Sequence, residues 1–299
     1  MEYDIVIVGR GPAGIAASLY TARSGMKTIV IGANDGALNR ALKIDNYFGF
    51  ADVVSGQYLQ EQSEIHAKRL GVDFSDDRAV SISQEDRFTV TCVKGSYSAH
   101  AVILATGVSK KRINIKGIDS FEGKGISYCT TCDGFFYRGL KTGVLGNRDY
   151  AVHEALELKN FTDKITIFTS GADLDISAES KEMLAKIENS HISINGKKIS
   201  EVAGNDLMDR IIFEDGSEEP LEGLFVAYEN ASGPDFAKKL GVLLQDKYIV
   251  TDREQKTNVE GIFAAGDCTG GFRQLSTAVG GGASAGKSAS DYVVKKRAG

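Results

Sequence analysis

Short apolar runs recur along this sequence, and each ends in glycine or other small residues. The first run is Asp4–Val8, which passes through a glycine-rich turn into an Ala-rich helical pattern over Ile15–Ser24. A second apolar run follows at Lys27–Ile31. Short apolar runs bounded by turn residues are typical of buried strands, so this order predicts a strand–helix–strand unit with parallel strands.

The same order returns in the middle of the chain. Lys141–Leu145 and Lys164–Phe168 have the pattern of buried strands, and Ala151–Lys159 between them has the pattern of a helix. Two further apolar runs end in small-residue turns, one within Val102–Gly107 and one within Gly261–Asp267. Strands that alternate with helices predict an α/β fold built on parallel sheets.

These patterns predict that the chain builds one domain, leaves it for a second and returns. We expect two Rossmann-like, three-layer domains. Residues 1–111 and 242–299 form the first and residues 112–241 the second, with crossings near Lys111 and Gly241. A length of 299 residues is enough for roughly two domains of ordinary size.

The first glycine-rich turn, Gly9–Gly14, has the spacing Gly-x-Gly-x-x-Gly between a strand and a helix. In this context Gly9 makes the tight turn, Gly11 lets the backbone approach a diphosphate, and Gly14 lets the helix pack closely on the sheet. The helix that follows directs its unpaired N–H groups at the phosphates. The acidic residue that often binds the ribose is missing after Ile31, and Asp35 comes late for that position.

Composition and charge exclude several classes of protein. A formal net charge of −5 argues against a general nucleic-acid-binding protein. No apolar run is long enough to span a membrane. The first residues enter a strand pattern without a basic segment before them, so we expect no signal peptide and a cytoplasmic protein.

The strongest chemical signal is the pair Cys129 and Cys132, separated by two threonines and followed by Asp133-Gly134. A close cysteine pair in a cytosolic protein indicates either catalysis or metal binding. A structural zinc site needs four ligands, whereas Cys92 and Cys268 are single and distant in sequence and no histidine adjoins the pair. We therefore expect no metal here and a disulfide that opens and closes.

Taken together, these motifs resemble the low-molecular-weight thioredoxin reductases over nearly the whole chain. The resemblance is carried by the glycine-rich turn, the Cys pair and three further segments in the family's order: Ala105-Thr106-Gly107, Phe135-Phe136-Tyr137-Arg138, and Gly261–Asp267 with Arg273-Gln274. It implies the class II architecture of pyridine nucleotide-disulfide oxidoreductases. It also implies a homodimer, an FAD-binding domain made of both chain ends, and a central domain with the redox disulfide.

The resemblance also implies which residues bind FAD. Asp267 would bind the ribityl or phosphate region, and Arg273, Gln274 and Leu275 would begin the last helix beside the isoalloxazine. The remaining residues implied to contact FAD are Gly9, Gly11, Pro12, Ala13, Gly14, Gly36, Ala37, Leu38, Asn46, Ala105, Thr106 and Gly107.

The central domain departs from the family where most members bind NADPH. Position 148, where a dinucleotide-binding turn has glycine, is Arg148. Thr169-Ser170-Gly171 stands where NADPH-binding members have basic residues and NAD-binding sites have an acid. Tyr228-Glu229-Asn230 replaces a glycine-containing turn. A small subgroup, the ferredoxin-linked flavin thioredoxin reductases, has this pattern, and the sequence resembles that subgroup.

We therefore expect a disulfide reductase that reduces thioredoxin with electrons from reduced ferredoxin. Two alternatives remain: an NAD(P)H-dependent thioredoxin reductase with a divergent coenzyme site, and a flavoprotein that only binds a partner or senses redox state. By analogy with the family, Cys132 lies next to the flavin and Cys129 attacks thioredoxin. Asp133 would be the acid/base, or else a turn or helix-cap residue.

The basic run at residues 109–112 is either a docking surface for an acidic ferredoxin or a solvated hinge.

Overall fold

A computed structural model describes residues 1–34, 36–108, 114–186, 192–228 and 231–298. Asp35, the basic run at 109–112 and Glu229-Asn230 lie outside the described residues. The chain divides into two compact units, one of residues 1–109 and 232–299 and the other of residues 110–231.

The first unit contains both ends of the chain. Its strands are β1 Ile5–Val8, β2 Thr28–Ile31, β3 Asp73–Ser75, β4 Ala79–Gln84, β5 Phe88–Cys92, β6 Ser96–Ala99 and β7 Ala101–Leu104, and, after the second unit, β16 Leu244–Gln245, β17 Tyr248–Ile249 and β18 Ile262–Ala264. Its helices are α1 Pro12–Arg23, α2 Gly56–Arg69, α6 Gly233–Lys239 and α7 Leu275–Ala298.

The second unit is the inserted middle of the chain. Its described strands are β8 Ile126–Ser127, β9 Thr142–Leu145, β10 Ile165–Phe168, β11 Ile192–Asn195, β12 Ile199–Gly204, β13 Met208–Phe213, β14 Glu218–Pro220 and β15 Gly223–Val226. Its described helices are α3 Thr130–Asp133, α4 Asp149–Leu158 and α5 Ala178–Lys186.

A parallel sheet lies at the centre of the first unit, in the order β18-β7-β1-β2-β3. Ile5 and Ile7 of β1 share one buried cluster with Ile15 of α1 and Val293 of α7. Alternate residues of a strand point to opposite faces, so this cluster marks the face that the two helices cover. The predicted α/β fold is confirmed.

The second unit has a parallel sheet in the order β11-β10-β9-β15-β8, and alternate residues of its strands enter different cores. Val144 and Phe225 pack with the apolar side of α4, whereas Leu145 and Leu224 pack with the antiparallel sheet β12-β13-β14. Helix, sheet and second sheet therefore form three layers, as the period-two pattern of buried strands requires.

The boundary between the units differs from the prediction at one crossing. The chain returns to the first unit at 231/232 rather than near Gly241, so α6 belongs to the first unit. The Gly233 N–H donates to Thr106 Oγ1 at 2.8 Å, and an added Cβ at Gly233 would meet Thr106, Ile249 and Cys268. Contacts between segments far apart in sequence thus decide the placement of α6.

Candidate active site

The cysteine pair lies in a short helix at the end of a strand of the second unit. β8 ends at Ser127, Cys129 is the N-cap of α3, and Cys129 and Cys132 form a disulfide with Cα atoms 5.3 Å apart. Cys129 is buried, whereas Cys132 is exposed. The two sulfurs therefore differ in access to a reaction partner.

The Cys129 sulfur accepts a hydrogen bond from within the motif. The Cys132 N–H donates to Cys129 Sγ at 3.1 Å, as expected for an N-cap side chain. When the disulfide opens, this N–H and the start of the helix stabilise negative charge on the Cys129 sulfur.

Asp133 is held in place by a side chain from the preceding strand. Ser127 Oγ donates to Asp133 Oδ2 at 2.6 Å and accepts from the Cys129 N–H at 3.1 Å. The Asp133 side chain makes no capping hydrogen bond to the 3-10 turn that follows it, Gly134–Tyr137. This disfavours the alternative role of Asp133 as a helix cap. Its carboxylate is thus fixed close to the backbone of the first cysteine.

Helix α4 contacts the two threonines between the cysteines. Glu154 Oε2 accepts from the Thr130 N–H at 3.3 Å, and Glu157 Oε1 accepts from Thr131 Oγ1. His153, Glu154 and Glu157 also offer ligand atoms within 4.8 Å of one another and could hold a cation. The two carboxylates are, however, already engaged with α3.

Sequence reasoning missed Ser127, Glu154 and Glu157. The helical pattern predicted at 151–159 places the two glutamates three residues apart on one face. Nothing in the sequence indicates that this face meets the cysteine pair.

The glycine-rich turn of the first unit fits a dinucleotide. An added Cβ at Gly9, whose φ is +124°, would lie 2.1 Å from the Ala105 carbonyl oxygen, and one at Gly14 would lie 1.9 Å from the Gly9 carbonyl oxygen. At Gly11 an added Cβ would meet no protein atom within 4 Å. Gly9 and Gly14 thus pack against other backbone atoms of the protein, whereas the space beside Gly11 is open. A diphosphate needs bare backbone at that position.

The helix that follows is also suited to bind an anion. Gly11 is the N-cap of α1 without a side-chain cap, Pro12 is at its start, Ala13 follows, and the first turn has no acidic residue. The free N–H groups at this end can bind a diphosphate such as that of FAD.

Other residues that the family resemblance assigns to FAD lie in the same unit. Ala105, Thr106 and Gly107 follow β7 directly, and Gly9 packs against the first two. Asp267 lines a cleft with Gly266 and Ala278. Cys268, the next residue, is buried.

The start of α7 falls where the sequence analysis places the last helix. Leu275 is its first residue, with Arg273 and Gln274 immediately before it. The Asn46 side chain donates to Gln274 Oε1 at 3.2 Å, so two proposed flavin contacts meet although 228 residues separate them. Gly36 and Ala37 lead into a short 3-10 turn that begins at Leu38.

The corresponding turn of the second unit, at residues 146–151, has a closely packed first glycine but an arginine at its middle position. At Gly146 an added Cβ would lie 2.2 Å from the Ala227 carbonyl oxygen, the same close approach as at Gly9. At the middle position, Arg148 places its guanidinium 3.6 Å from Asp175 Oδ2. The tight turn is thus kept, while a side chain stands at the position equivalent to Gly11.

A neighbouring segment of the chain is hydrogen-bonded to this second turn. The Asp175 N–H donates to the Asn147 carbonyl at 2.9 Å. Asn147 Nδ2 donates to the Asp173 carbonyl at 3.1 Å. Ser177 donates to Asp149 Oδ1 through its N–H at 2.9 Å and its hydroxyl at 2.8 Å. Residues 173–177 therefore lie against the turn and the first residue of α4.

The two cysteines outside the pair are not suited to exchange. Cys92 and Cys268 are buried, and burial raises the pKa of each thiol to about 12. The thiolate is the reactive form, so both are inert near neutral pH. Among the described cysteines, only Cys129 and Cys132 remain as the redox pair.

Two dinucleotide-type units with a redox disulfide in the inserted one define a pyridine nucleotide-disulphide oxidoreductase, and residues 3–282 match the model of that family, to which the chain belongs. Within the family it belongs with the low-molecular-weight thioredoxin reductases, which are flavoproteins that reduce thioredoxin. It is 34% identical to the thioredoxin reductase of Listeria innocua, over 97% of this chain and 94% of that protein.

Solved structures agree with this assignment. The chain is 42% identical to the atypical thioredoxin reductase TRi of Desulfovibrio vulgaris Hildenborough, with a TM-score of 0.94 and 98% of each chain covered. It is 30% identical to a ferredoxin-flavin thioredoxin reductase of Clostridium acetobutylicum, with a TM-score of 0.71 over 100% of this chain and 99% of the other.

None of the described helices has the length and apolar composition needed to cross a membrane.

Proposed function

We propose that this thioredoxin reductase binds FAD, reduces thioredoxin through the Cys129–Cys132 disulfide, and takes its electrons from reduced ferredoxin instead of NADPH or NADH. The observation that carries the proposal is the turn at 146–151, where Arg148 replaces the glycine that a coenzyme diphosphate approaches and residues 173–177 are hydrogen-bonded to the turn and to Asp149. We further propose a cytoplasmic homodimer, by analogy with the family.

The contrast between the two glycine-rich turns supports loss of the nicotinamide coenzyme. Gly11 leaves open space beside its backbone, whereas Arg148 fills the equivalent position and pairs with Asp175. An arginine can bind phosphate, but this guanidinium already has a carboxylate partner. A diphosphate would have to displace that partner and still approach backbone that a side chain covers.

Charge at the start of α4 supports the same conclusion. Asp149 is in the first turn of α4, and its carboxylate is held by Ser177. A carboxylate at a helix N-terminus is favourable in itself, because it complements the helix dipole. It also places a negative charge where a dinucleotide-binding helix receives the phosphates, so it repels them.

The similarity to the ferredoxin-flavin thioredoxin reductase of Clostridium acetobutylicum supports ferredoxin as the donor. The energetics agree. A ferredoxin has a reduction potential of about −400 mV and thioredoxin one of about −270 mV, so the transfer of two electrons releases about 6 kcal/mol. FAD supplies the chemistry that joins them, because it accepts single electrons and passes on a pair.

The protein residues divide the disulfide chemistry between them. Cys132, the exposed sulfur, is the one proposed to face the reductant, and Cys129 leaves as a thiolate that the Cys132 N–H stabilises. Two electrons and two protons convert the disulfide to two thiols, and Asp133 transfers a proton at the sulfurs. Cys129 then attacks the thioredoxin disulfide, and Cys132 resolves the mixed disulfide to reform the Cys129–Cys132 bond.

The burial of Cys129 adds a condition to this scheme. Its sulfur is buried while the disulfide is closed, so reaction with thioredoxin requires that it become accessible after opening.

An NAD(P)H-dependent reductase is the second candidate. The observation in its favour is the tight turn at Gly146, which still has the close approach to Ala227 that dinucleotide-binding turns have. We assign this approach to the packing of the parallel sheet, because β9 and β15 are neighbouring strands and Gly146 and Ala227 directly follow them.

Anaerobic reduction of the FAD-loaded enzyme separates the two candidates. We expect reduced ferredoxin to bleach the flavin absorbance and support thioredoxin reduction, while excess NADPH or NADH leaves the absorbance unchanged. Dithionite serves as the control that the flavin is reducible. The Cys132→Ser variant should accept electrons into the flavin but fail to reduce thioredoxin. Rapid bleaching by NADPH or NADH would disprove the ferredoxin proposal.

A further inference from the structure

The short helix α3 contains Cys132, has Cys129 as its N-cap, and is only one turn long. A helix of this length is unstable by itself, because nucleation is costly and few hydrogen bonds repay it. The positions of the two sulfurs therefore depend on contacts that α3 makes with the rest of its unit.

Helix α4 makes two of these contacts, one to each residue between the cysteines. The nearly fully buried Glu154 accepts from the Thr130 N–H at 3.3 Å, and Glu157 accepts from the Thr131 hydroxyl. The glutamates are three residues apart, so they lie on one face of α4. Consecutive residues of α3 are thus bonded to one face of one helix.

The face of α4 that adjoins Glu154 is fixed to the sheet. Ala151, Ala155 and Leu158 are buried in a cluster with Val144 of β9 and Phe225 of β15. Interiors are closely packed, so α4 cannot shift without disturbing the sheet. A group bonded to Glu154 and Glu157 is therefore positioned relative to the whole unit.

We propose that Glu154 and Glu157 are positioning residues of the reductase, which hold α3 in the geometry from which the disulfide opens. This inference rests on the proposed role of the Cys129–Cys132 disulfide. It gives α4 a function that does not depend on a nicotinamide coenzyme.

A double-mutant cycle on Thr131 and Glu157 tests the proposal. The variants are Thr131→Val, Glu157→Ala and their combination, all loaded with FAD. The flavin is reduced photochemically under anaerobic conditions, which requires neither ferredoxin nor coenzyme. Opened disulfide is trapped by alkylation at set times, and labelled Cys129 and Cys132 are counted by mass spectrometry.

We expect each single variant to open the disulfide about tenfold more slowly, as for a reacting group held in the wrong geometry. The double variant should be no slower than either single one, because both remove the same contact. Glu157→Gln and Thr131→Ser should restore most of the rate, since they keep the acceptor and the donor. Glu182→Ala is the matched control: it removes a carboxylate of the same unit that pairs with Lys186 on α5.

Amide hydrogen exchange of residues 129–134 in the oxidised protein provides a second measurement. We expect it to rise in Thr131→Val and Glu157→Ala but not in Glu182→Ala. Unchanged exchange and wild-type opening rates in both variants, or additive losses in the double variant, would overturn the positioning role. Failure of the wild-type disulfide to open on flavin reduction would instead overturn the proposed function.

Discussion

Arg148 marks the difference between the corresponding turns of the two units. The turns at Gly9–Gly14 and Gly146–Ala151 share a tight first glycine whose Cβ would collide with a carbonyl of a neighbouring strand end. They differ at the middle position, which is Gly11 in the first turn and Arg148 in the second. The same backbone turn thus leaves open space in one unit and carries a side chain in the other, and the proposed function rests on this difference.

Ser127 is the side chain that connects the proposed acid to the first cysteine. We predict that Ser127→Ala lowers kcat for thioredoxin reduction about tenfold, because Asp133 loses a charge-assisted hydrogen bond and with it a defined orientation. Steady-state assays with separately determined kcat and KM provide the measurement.

Ser200→Ala is the matched control for Ser127→Ala. Ser200 belongs to the same unit, and its hydroxyl donates to the Ile212 carbonyl, away from the cysteines. Activity of Ser127→Ala within twofold of the control would show that Ser127 does not position Asp133.

Among the elements, α7 packs closely on α1 in the first unit. An added Cβ at Gly282 would lie 2.1 Å from the Ala13 carbonyl oxygen, and one at Gly286 would lie 2.4 Å from the Ala17 carbonyl oxygen. These glycines are four residues apart and lie on one face of α7. They allow the two backbones to touch, which holds the first residues of α1 against the first half of α7.

Two neighbouring glycines of α7 should therefore respond oppositely to alanine. We predict that Gly282→Ala destabilises the protein by about 1–3 kcal/mol, the usual cost of overpacking, and lowers its FAD content. Gly280→Ala should stabilise the protein by up to about 1 kcal/mol, because Gly280 is exposed, has no protein atom near an added Cβ, and gains helix propensity.

Denaturant unfolding and the flavin-to-protein absorbance ratio measure both variants. Equal stability of Gly282→Ala and Gly280→Ala would contradict the close helix contact.

For the whole molecule, the insertion of one dinucleotide-type unit into another is the organising feature. The first unit leaves open space at Gly11, whereas the second keeps the strands, the tight turn and α4 but has Arg148 at the equivalent position. Ligands that bind only the folded state raise its stability by mass action. We therefore expect FAD to stabilise the first unit and NADPH or NADH not to stabilise the second.

We predict that FAD added to the apoprotein raises the Tm, by an amount equivalent to about 2.7 kcal/mol at a hundredfold excess over Kd. NADPH or NADH at millimolar concentration should change the Tm by less than about 1 °C, because under the proposed function the second unit does not bind the coenzyme. Differential scanning fluorimetry of apoprotein and FAD-loaded protein measures both. A Tm increase with NADPH that saturates would show that the second unit still binds the coenzyme.

Local sequence pattern was sufficient to predict a large part of this fold. The predicted strands at 141–145 and 164–168 are observed as Thr142–Leu145 and Ile165–Phe168, and the helix predicted at 151–159 is observed as Asp149–Leu158. Buried parallel strands are continuously apolar, and the turns after them need small residues, so neighbouring residues carry the information. The Cys pair and the missing glycine at position 148 are local features of the same kind.

The partners of the site residues depended on tertiary structure. Thr131 and Glu157 are 26 residues apart, and Asn46 and Gln274 are 228 residues apart. A helical pattern identifies an apolar face, but it does not identify which element meets the polar face. The placement of α6 in the first unit was decided in the same way, by its contacts with Thr106 and Ile249.

The amino-acid order alone thus established two nucleotide-type units, a redox cysteine pair and an altered second turn, because each of these is written in residues that are close together in the chain. Folding decided that Cys129 is the buried sulfur, that Ser127 and α4 hold the cysteine helix, and that residues 173–177 lie against the altered turn. These features arise where distant segments pack together, and the energy of such contacts depends on distances and burial that no local pattern contains.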